Sequence, residues 1–374
     1  MKDSASAEHS PCVRSNTLVF MSKRSLFPII VGMLFTVMVG CTSDDKRYFD
    51  FEIREVEDAL PLEMLTGEAL ELEYPKFILF SVYDTLCFLY SWDNPGGFYN
   101  LHNLKNGKHL GYFCQRGQAP NESAGISPLF QFYTEDGHLK TDLLTVNRTL
   151  TPWDITRSLN SGRTELDTVF SFNWSDVCVF PYKTYFRLPG DSMLVFTQPD
   201  IPFDKATATL PRIQIRTLAD NKAVREYYLF TQPIEGSKNS DFRPDEFLRL
   251  FASLKPDGKK AAIAMGAFPQ MIILDLVSGE AKGVWLKSAP GFSPDYGRDY
   301  YMSVQCDEKY IYALYKGGEP HEKATVVHVF DWEGQLLRRI ELSHPASSLS
   351  LDPVSGMLYT MRYDEEEIYR YSVN

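Results

Sequence analysis

A turn that recurs along the chain is the feature that most constrains its fold. Between residues 254 and 286, Asp257-Gly258 and Asp275-Leu-Val-Ser-Gly279 each separate two short apolar runs. This pattern predicts three strands joined by two hairpins. Because a meander of this size cannot bury both of its faces alone, we expect it to pack against further copies of itself.

Turn residues of the same kind occur six times, each before a run of strand-forming residues. They begin at Asp84, Asp136, Asp191, Asp257, Asp307 and Asp352, at intervals of 45 to 66 residues. A second polar turn follows in each of the first five repeats, as at residues 154–162. A period near 50 residues with about four strands predicts an all-β fold, a six-bladed β-propeller of four-stranded antiparallel blades. The alternative is a β-sandwich with frequent turns.

The last repeat is too short for a full blade. Residues 347–373 have room for three strands, whereas residues 77–342 accommodate five blades of four. An open ring would expose unpaired backbone groups, so we predict that an N-terminal strand, residues 48–56, closes the ring in the sixth blade. Those residues alternate apolar and charged side chains, as a half-exposed strand does. Residues 244–254 fit a helix as well as a strand, and the repeat favours the strand.

Composition limits the classes of partner. The chain has 374 residues, of which 14% are aromatic, and 49 acidic against 38 basic residues give a net charge of −11. An acidic chain offers no basic surface for nucleic acid, so no nucleic-acid partner is expected. Because no Cys-x-x-Cys or Cys/His cluster occurs, buried thiols are favoured over disulfides or metal ligands, at Cys87, Cys114, Cys178 and Cys306.

The first forty residues have the layout of an export signal. Lys23-Arg24 precedes an apolar run over residues 26–39, which ends at Gly40-Cys41. This run is shorter than the roughly 20 residues of a membrane span. Residues 38–41 resemble the lipobox of bacterial lipoproteins, which implies that Cys41 is acylated. We expect a leader over residues 1–40 with its true start at Met21, a linker over 41–47 and the propeller over 48–374.

The residues after the cysteine bear on localisation. Thr42 stands where an aspartate would mark retention in the inner membrane, and Asp44-Asp45 is similar to a surface-export tag. The resemblance implies an outer membrane lipoprotein, on the periplasmic side or at the cell surface.

One loop extends the resemblance to a family. Residues 115–122, Gln-Arg-Gly-Gln-Ala-Pro-Asn-Glu, resemble the Gly-x-Gly-Pro-x-Glu loop of TolB-like six-bladed propeller lipoproteins of Gram-negative bacteria. Gln118-Ala119 departs from the second glycine of that motif. The family implies the six-bladed fold and a lipoprotein of the outer membrane or cell surface, and it supplies no reaction.

Connections between successive blades line one face of a propeller around the mouth of its channel. The candidate ligand-binding residues are charged and aromatic residues on these connections: Arg116, Glu122, Trp174, Arg243, Asp245, Arg298, Asp299 and His344. Tyr182 is a further aromatic candidate. The alternative is that the arginine and carboxylate side chains only tie neighbouring blades together.

The leading functional interpretation is a lipid-anchored binding or assembly module for a glycan, peptide or protein partner at the channel mouth. No cofactor is predicted, and no His-Glu-x-x-His or Gly-x-Ser-x-Gly motif indicates a catalytic site. Calcium ligands are scattered oxygens that spacing rules do not detect. A calcium-dependent hydrolase or lactonase with its site in the central channel is therefore the alternative.

Overall fold

Short strands joined by tight turns form six small sheets in the computed structural model of the chain. The structure describes residues 44–73, 77–119, 121–128, 131–146, 149–167, 170–171, 185–197, 212–231, 249–292, 298–318, 324–362 and 366–373. A 3₁₀ turn at Asp44–Tyr48 precedes the first strand. No helix among these residues has both the length and the apolar character needed to cross a membrane.

Strands of two to eight residues follow one another along the chain. They are β1 (Glu52–Val56), β2 (Leu62–Leu65), β3 (Glu68–Ala69), β4 (Leu79–Tyr83), β5 (Leu86–Tyr90), β6 (Tyr99–Asn103), β7 (His109–Phe113), β8 (Ile126–Ser127), β9 (Phe132–Glu135), β10 (His138–Thr145), β11 (Thr149–Asp154), β12 (Phe170–Ser171), β13 (Tyr185–Leu188), β14 (Ser192–Thr197), β15 (Arg212–Thr217), β16 (Ala223–Tyr227), β17 (Leu250–Leu254), β18 (Lys260–Met265), β19 (Gln270–Asp275), β20 (Ala281–Leu286), β21 (Tyr301–Cys306), β22 (Tyr310–Tyr315), β23 (Val326–Asp331), β24 (Leu336–Leu342), β25 (Ser348–Leu351), β26 (Leu358–Arg362) and β27 (Glu367–Tyr371).

Each sheet is one blade, so the predicted six-bladed β-propeller is confirmed. Blade 1 is β4–β7, blade 2 is β8–β12, blade 3 is β13–β16, blade 4 is β17–β20, blade 5 is β21–β24, and blade 6 is β25–β27 with β3. Neighbouring strands of these sets are antiparallel, and the first strand of each blade is innermost. In blade 2 the innermost strand is interrupted, because β8 and β9 both pair with β10.

Buried side chains between neighbouring blades hold the ring together. Six such clusters are present among the described residues, one for each pair of adjacent blades. The cluster between blades 6 and 1 contains Phe80, Leu89, Met361 and Ile368. Each blade therefore buries both faces of its sheet against its two neighbours.

The N-terminal segment closes the ring, but with residues other than the predicted ones. β3 pairs antiparallel with β27, with Ala69 opposite Tyr369. The prediction that residues 48–56 supply this strand is wrong, because β1 pairs parallel with β20 at the outer edge of blade 4. Phe49 packs edge-on against Phe268, with ring centroids 5.3 Å apart. Alternation correctly indicated a half-buried strand, but it does not specify which sheet edge the strand joins.

Residues 44–69 thus form a strap across the outer edges of three blades. β1 joins blade 4, β2 pairs parallel with β24 of blade 5, and β3 completes blade 6. Between β1 and β2, Arg339 Nε lies 2.6 Å from Asp58 Oδ1. Nη1 of Arg339 also donates to the carbonyl oxygens of Asp58 and Leu60. The strap is therefore bound by side chains as well as by strand pairing.

The repeated turns join the first and second strands of the blades. Three of their aspartates, Asp84, Asp136 and Asp191, have φ between 52° and 55°, in the left-handed region that aspartate tolerates better than most residues. The polar stretch at residues 154–162 is not a simple turn but holds the helix α1 (Ile155–Ser161). Asp154 caps this helix by accepting from the Arg157 N–H, and Gly162 ends it with φ 72°.

Two other sequence predictions are resolved here. Residues 250–254 are the strand β17, as the repeat required, and residues 241–248 lie outside the described part of the chain. Cys87 and Cys114 are buried and unbridged, while Cys306 is half-buried and also unbridged. Cys178 lies outside the described residues.

Candidate ligand site in the central channel

The innermost strands surround a central channel that contains two cavities. We call "upper" the side on which the connections between successive blades lie. The upper cavity has a volume of about 350 Å³ and the lower one about 470 Å³. Both volumes lie in the range of about 300–1,000 Å³ that is usual for sites of small ligands.

An ion-paired cluster lies in the wall of the upper cavity. Arg249, which directly precedes β17, places Nη1 2.5 Å from Oδ1 of Asp299, two residues before β21. Lys316 places its Nζ 2.8 Å from the other carboxylate oxygen of Asp299. The side chains of Arg249 and Asp299 are 23% and 22% exposed, so the pair lies at the boundary between the wall and the channel.

Backbone hydrogen bonds fix the positions of these residues. Gly266 N–H donates to the Arg249 carbonyl, and Tyr300 N–H donates to the Gly266 carbonyl, both at 2.8 Å. Gly266 favours this close approach, because an added Cβ would lie 3.0 Å from Cβ of Arg249, nearer than most such contacts. The sequence thus brings the start of blade 4 directly against the start of blade 5.

Several guanidinium donors of this cluster have no partner among the residues that the structure describes. Nη2 of Arg249 donates to the carbonyl oxygen of Arg298 at 3.2 Å. Nε of Arg249, and Nε and Nη1 of Arg298, are buried without a hydrogen-bond partner. A buried donor without a partner costs roughly 1–3 kcal/mol, which a ligand with acceptor oxygens would offset. The planar guanidinium fork fits carboxylate and phosphate groups best.

Some predicted ligand-binding residues do not line the channel. The guanidinium carbon of Arg116 lies 5.0 Å from the centre of the Phe98 ring. The ring of His344 stacks on Tyr369, with centroids 3.8 Å apart. Neither Arg116 nor His344 lines either channel cavity, whereas Asp299 lines the upper one and Arg298 adjoins it in sequence.

Glu122 organises its own loop. Its Oε2 accepts from the Ala119 N–H at 3.0 Å, and it lines a separate cavity of about 120 Å³. A Cβ at position 117 would lie 1.8 Å from Glu122 Oε2, so Gly117 leaves the space that the carboxylate occupies. This contact accounts for the pairing of Gly117 with Glu122 in this loop.

The remaining predicted positions lie outside the described residues: Cys41, Trp174, Tyr182, Arg243 and Asp245. Sequence reasoning missed Arg249 and Lys316. Arg249 stands directly before an innermost strand, as Arg298 and Asp299 nearly do, and this shared offset was the available signal. Lys316 follows β22 in a connection within blade 5, where no pattern marked it.

Calcium has no evident ligand set here. The described part of the chain contains no group of three or more His, Cys, Asp or Glu side chains that could hold a metal ion. Asp299 is bound by two cations, which does not fit the several oxygen ligands that calcium takes.

The chain has distant structural similarity to several known proteins. No protein-family model matches the chain, and no curated protein matches it in sequence. Among solved structures it is similar to hydrazine synthase of Kuenenia stuttgartiensis, with TM-score 0.46, 13% identity, and 85% of this chain and 97% of that chain covered. Regucalcin from Agrobacterium tumefaciens, described as a calcium-binding protein, gives TM-score 0.43 and 10% identity. The match covers 84% of this chain and 96% of that chain. A luciferin-regenerating enzyme gives TM-score 0.47 and 11% identity, with 82% of this chain and 95% of that chain covered. Likeness at this level carries no argument about the function of this chain.

Proposed function

We propose that the protein is a binding module that takes a small anionic group in the upper cavity of its channel. The observation that carries the proposal is the set of buried guanidinium donors without partners on Arg249 and Arg298. Arg249 lines a cavity of about 350 Å³, and Arg298 directly precedes Asp299, which lines the same cavity. A polar site arranged in advance for a ligand, rather than satisfied internally, is typical of binding sites.

The chemistry of the ligand follows from the donors. Arginine binds carboxylate and phosphate oxygens through two parallel N–H groups, whereas a neutral sugar would leave the positive charge uncompensated. The glycan, peptide or protein partner expected from the sequence remains a proposal, and it requires an acidic group at the channel mouth.

Thermal unfolding with added acetate or phosphate tests the proposal, at ionic strength held constant with sodium chloride. A ligand that binds only the folded state raises the melting temperature, and the rise grows with the logarithm of one plus the ratio of the ligand concentration to Kd. We expect a rise for the wild type and none for Arg249→Gln. In that variant Lys316 still neutralises Asp299. A missing rise in melting temperature would therefore result from loss of the Arg249 guanidinium and not from an unpaired Asp299 carboxylate.

Lys287→Gln is the matched control. Lys287 is a cation just after β20, its side chain is 58% exposed, and it pairs with Glu57 at 2.8 Å. It lies outside the channel, so its loss should leave the response to anions unchanged. Equal responses of Arg249→Gln and the wild type would refute an anion site at this position.

Anchoring by lipid is a separate proposal. The short apolar run that ends at Gly40-Cys41 supports it, as does the cationic pair Lys23-Arg24 before the run. In a Gram-negative host we expect the wild type in the outer membrane fraction and Cys41→Ala in the soluble fraction. A Cys41→Ala variant that stays with the membranes through carbonate washing would contradict acylation at Cys41.

Membership of the TolB-like propeller lipoproteins and the calcium-dependent alternative both stay predictions. Titration with calcium chloride against magnesium chloride, with the melting temperature as the readout, tests the latter. A rise specific to calcium would favour it.

A further inference from the structure

The two cavities meet at shared wall residues. Ser81 of β4 and Gln305 of β21 line both, so these two residues mark a waist between the upper and the lower cavity. A ligand that extends from Arg249 past this waist would enter the lower cavity. The lower cavity is bounded by residues from the first strands of all six blades or the turns that follow them.

Apolar side chains line this route. Leu79, Phe251 and Met302 are half-buried in the wall of the upper cavity, directly below the ion-paired cluster. Phe132 and Leu254 are half-buried in the wall of the lower cavity. Apolar surface left accessible inside a channel favours an apolar ligand group, because contact removes both surfaces from water.

The lower cavity offers no second anion site among the residues described. Arg187 lines it, but its Nε and Nη2 donate to the two oxygens of Asp142 at 2.9 and 3.1 Å. Lys255 pairs with Asp257 at 2.7 Å and with Glu308 at 2.9 Å. The lower end is lined by residues without a backbone N–H donor, Pro189, Pro256 and Pro353. A ligand that extends downward therefore meets no unsatisfied charge there.

From these observations we infer that the ligand is an amphiphilic anion, a carboxylate carrying an unbranched acyl chain of medium length. Its carboxylate would bind at Arg249, and its chain would run past Ser81 and Gln305 into the lower cavity. This inference rests on the proposed function, since it assigns a tail to the anion already placed in the upper cavity.

Binding of a homologous series by isothermal titration calorimetry tests the tail, with acetate, hexanoate, decanoate and decanol as ligands below their micellar concentrations. Burial of one methylene strengthens binding by up to about fourfold. We expect the dissociation constant to fall steadily from acetate to decanoate, and decanol to bind more weakly than decanoate. An affinity that does not change with chain length would overturn the inference and leave the proposed function standing.

Two variants separate the head from the tail. Gln305→Trp narrows the waist, so decanoate should lose at least tenfold in affinity while acetate keeps its own. Arg249→Gln should weaken acetate and decanoate alike but leave decanol unchanged. If Gln305→Trp does not fold, the chain-length series on the wild type still decides. Absence of binding by acetate and decanoate together would overturn the proposed function as well.

Discussion

Two arginine–aspartate pairs lie in the channel wall, and they differ in how completely their hydrogen bonds are satisfied. In the lower pair, the Asp142 carboxylate accepts two bonds from Arg187 and one each from Tyr133 and Tyr185, at 2.8 to 3.1 Å. These four bonds fill the acceptor capacity of a carboxylate. In the upper pair, Arg249 binds Asp299 through Nη1, while its Nε has no partner in the described part of the chain.

The difference separates a structural pair from a binding pair. Asp142 has 4% of its side chain exposed and Arg187 17%, against 22% and 23% for Asp299 and Arg249. The lower pair connects blades 2 and 3, and its carboxylate is fully bonded within the protein. Residue type alone therefore does not identify a site, whereas unsatisfied donors next to a cavity do.

The largest effect is expected at the lower pair. Asp142→Ala would leave the Arg187 charge buried without a partner and would remove the acceptor of two tyrosine hydroxyls. We expect a loss of about 3–5 kcal/mol in the free energy of unfolding, measured by urea denaturation. A loss below about 1 kcal/mol would show that the pair does not hold blades 2 and 3 together.

Asp142→Asn combined with Arg187→Gln is the control for this variant. The double variant removes both charges and keeps polar groups that can bond to one another. It should therefore lose less stability than Asp142→Ala alone, because breaking one member of a buried pair costs more than replacing both.

A smaller effect on stability is expected at the upper pair, together with a gain in binding. Asp299→Asn should lower the free energy of unfolding by about 2 kcal/mol, because its partners remain partly hydrated. Removal of the carboxylate also removes its repulsion of an anionic ligand, so acetate should bind on the order of tenfold more tightly. Weaker binding of acetate by Asp299→Asn would mean that the carboxylate positions Arg249 instead of competing with the ligand.

The smallest effect at neutral pH is expected for Tyr133→Phe, about 1 kcal/mol for one lost hydrogen bond. The variant differs from the wild type most clearly in its stability at alkaline pH. Burial, and then the nearby Asp142 carboxylate, raise the pKa of Tyr133. Above the unfolded pKa of about 10 the unfolded chain loses this proton while the folded chain keeps it, so stability falls with rising pH.

Tyr133→Phe should therefore reduce the loss of stability between pH 10 and pH 11 in urea denaturation. Tyr310→Phe, at a tyrosine with 37% of its surface exposed, is the control. Equal alkaline slopes for the wild type and Tyr133→Phe would contradict this account of the lower pair.

The repeat made most of the fold predictable from the sequence. The turns require a backbone in the left-handed region, which aspartate and glycine tolerate better than most residues. The sequence shows this requirement at Asp84, Asp136, Asp191 and Gly258. The partner of β1 was not predictable, because pairing over more than 200 residues depends on which edge offers complementary apolar surface. Phe49 finds that surface at Phe268 and Trp285 in blade 4.

The site was predictable only in part for a related reason. Arg298 and Asp299 lie on a connection between blades, where polar residues attract notice, whereas Arg249 directly adjoins a strand. Whether an arginine is satisfied depends on the acceptors that other blades bring to it. Sequence spacing does not contain that information, so Arg187 and Arg249 look alike until their partners are known.

The strap sets an order in which the ring can be completed. Its strands β1, β2 and β3 pair with β20, β24 and β27, which lie progressively later in the chain. During synthesis the first of these segments has no partner until blade 4 has been made, and the last has none until the final blade is finished. Such long-range closure is slow in folding because the entropy of a very large loop is lost before the pairing is gained. We therefore expect the earliest residues of the propeller to be among the last to become protected from hydrogen exchange.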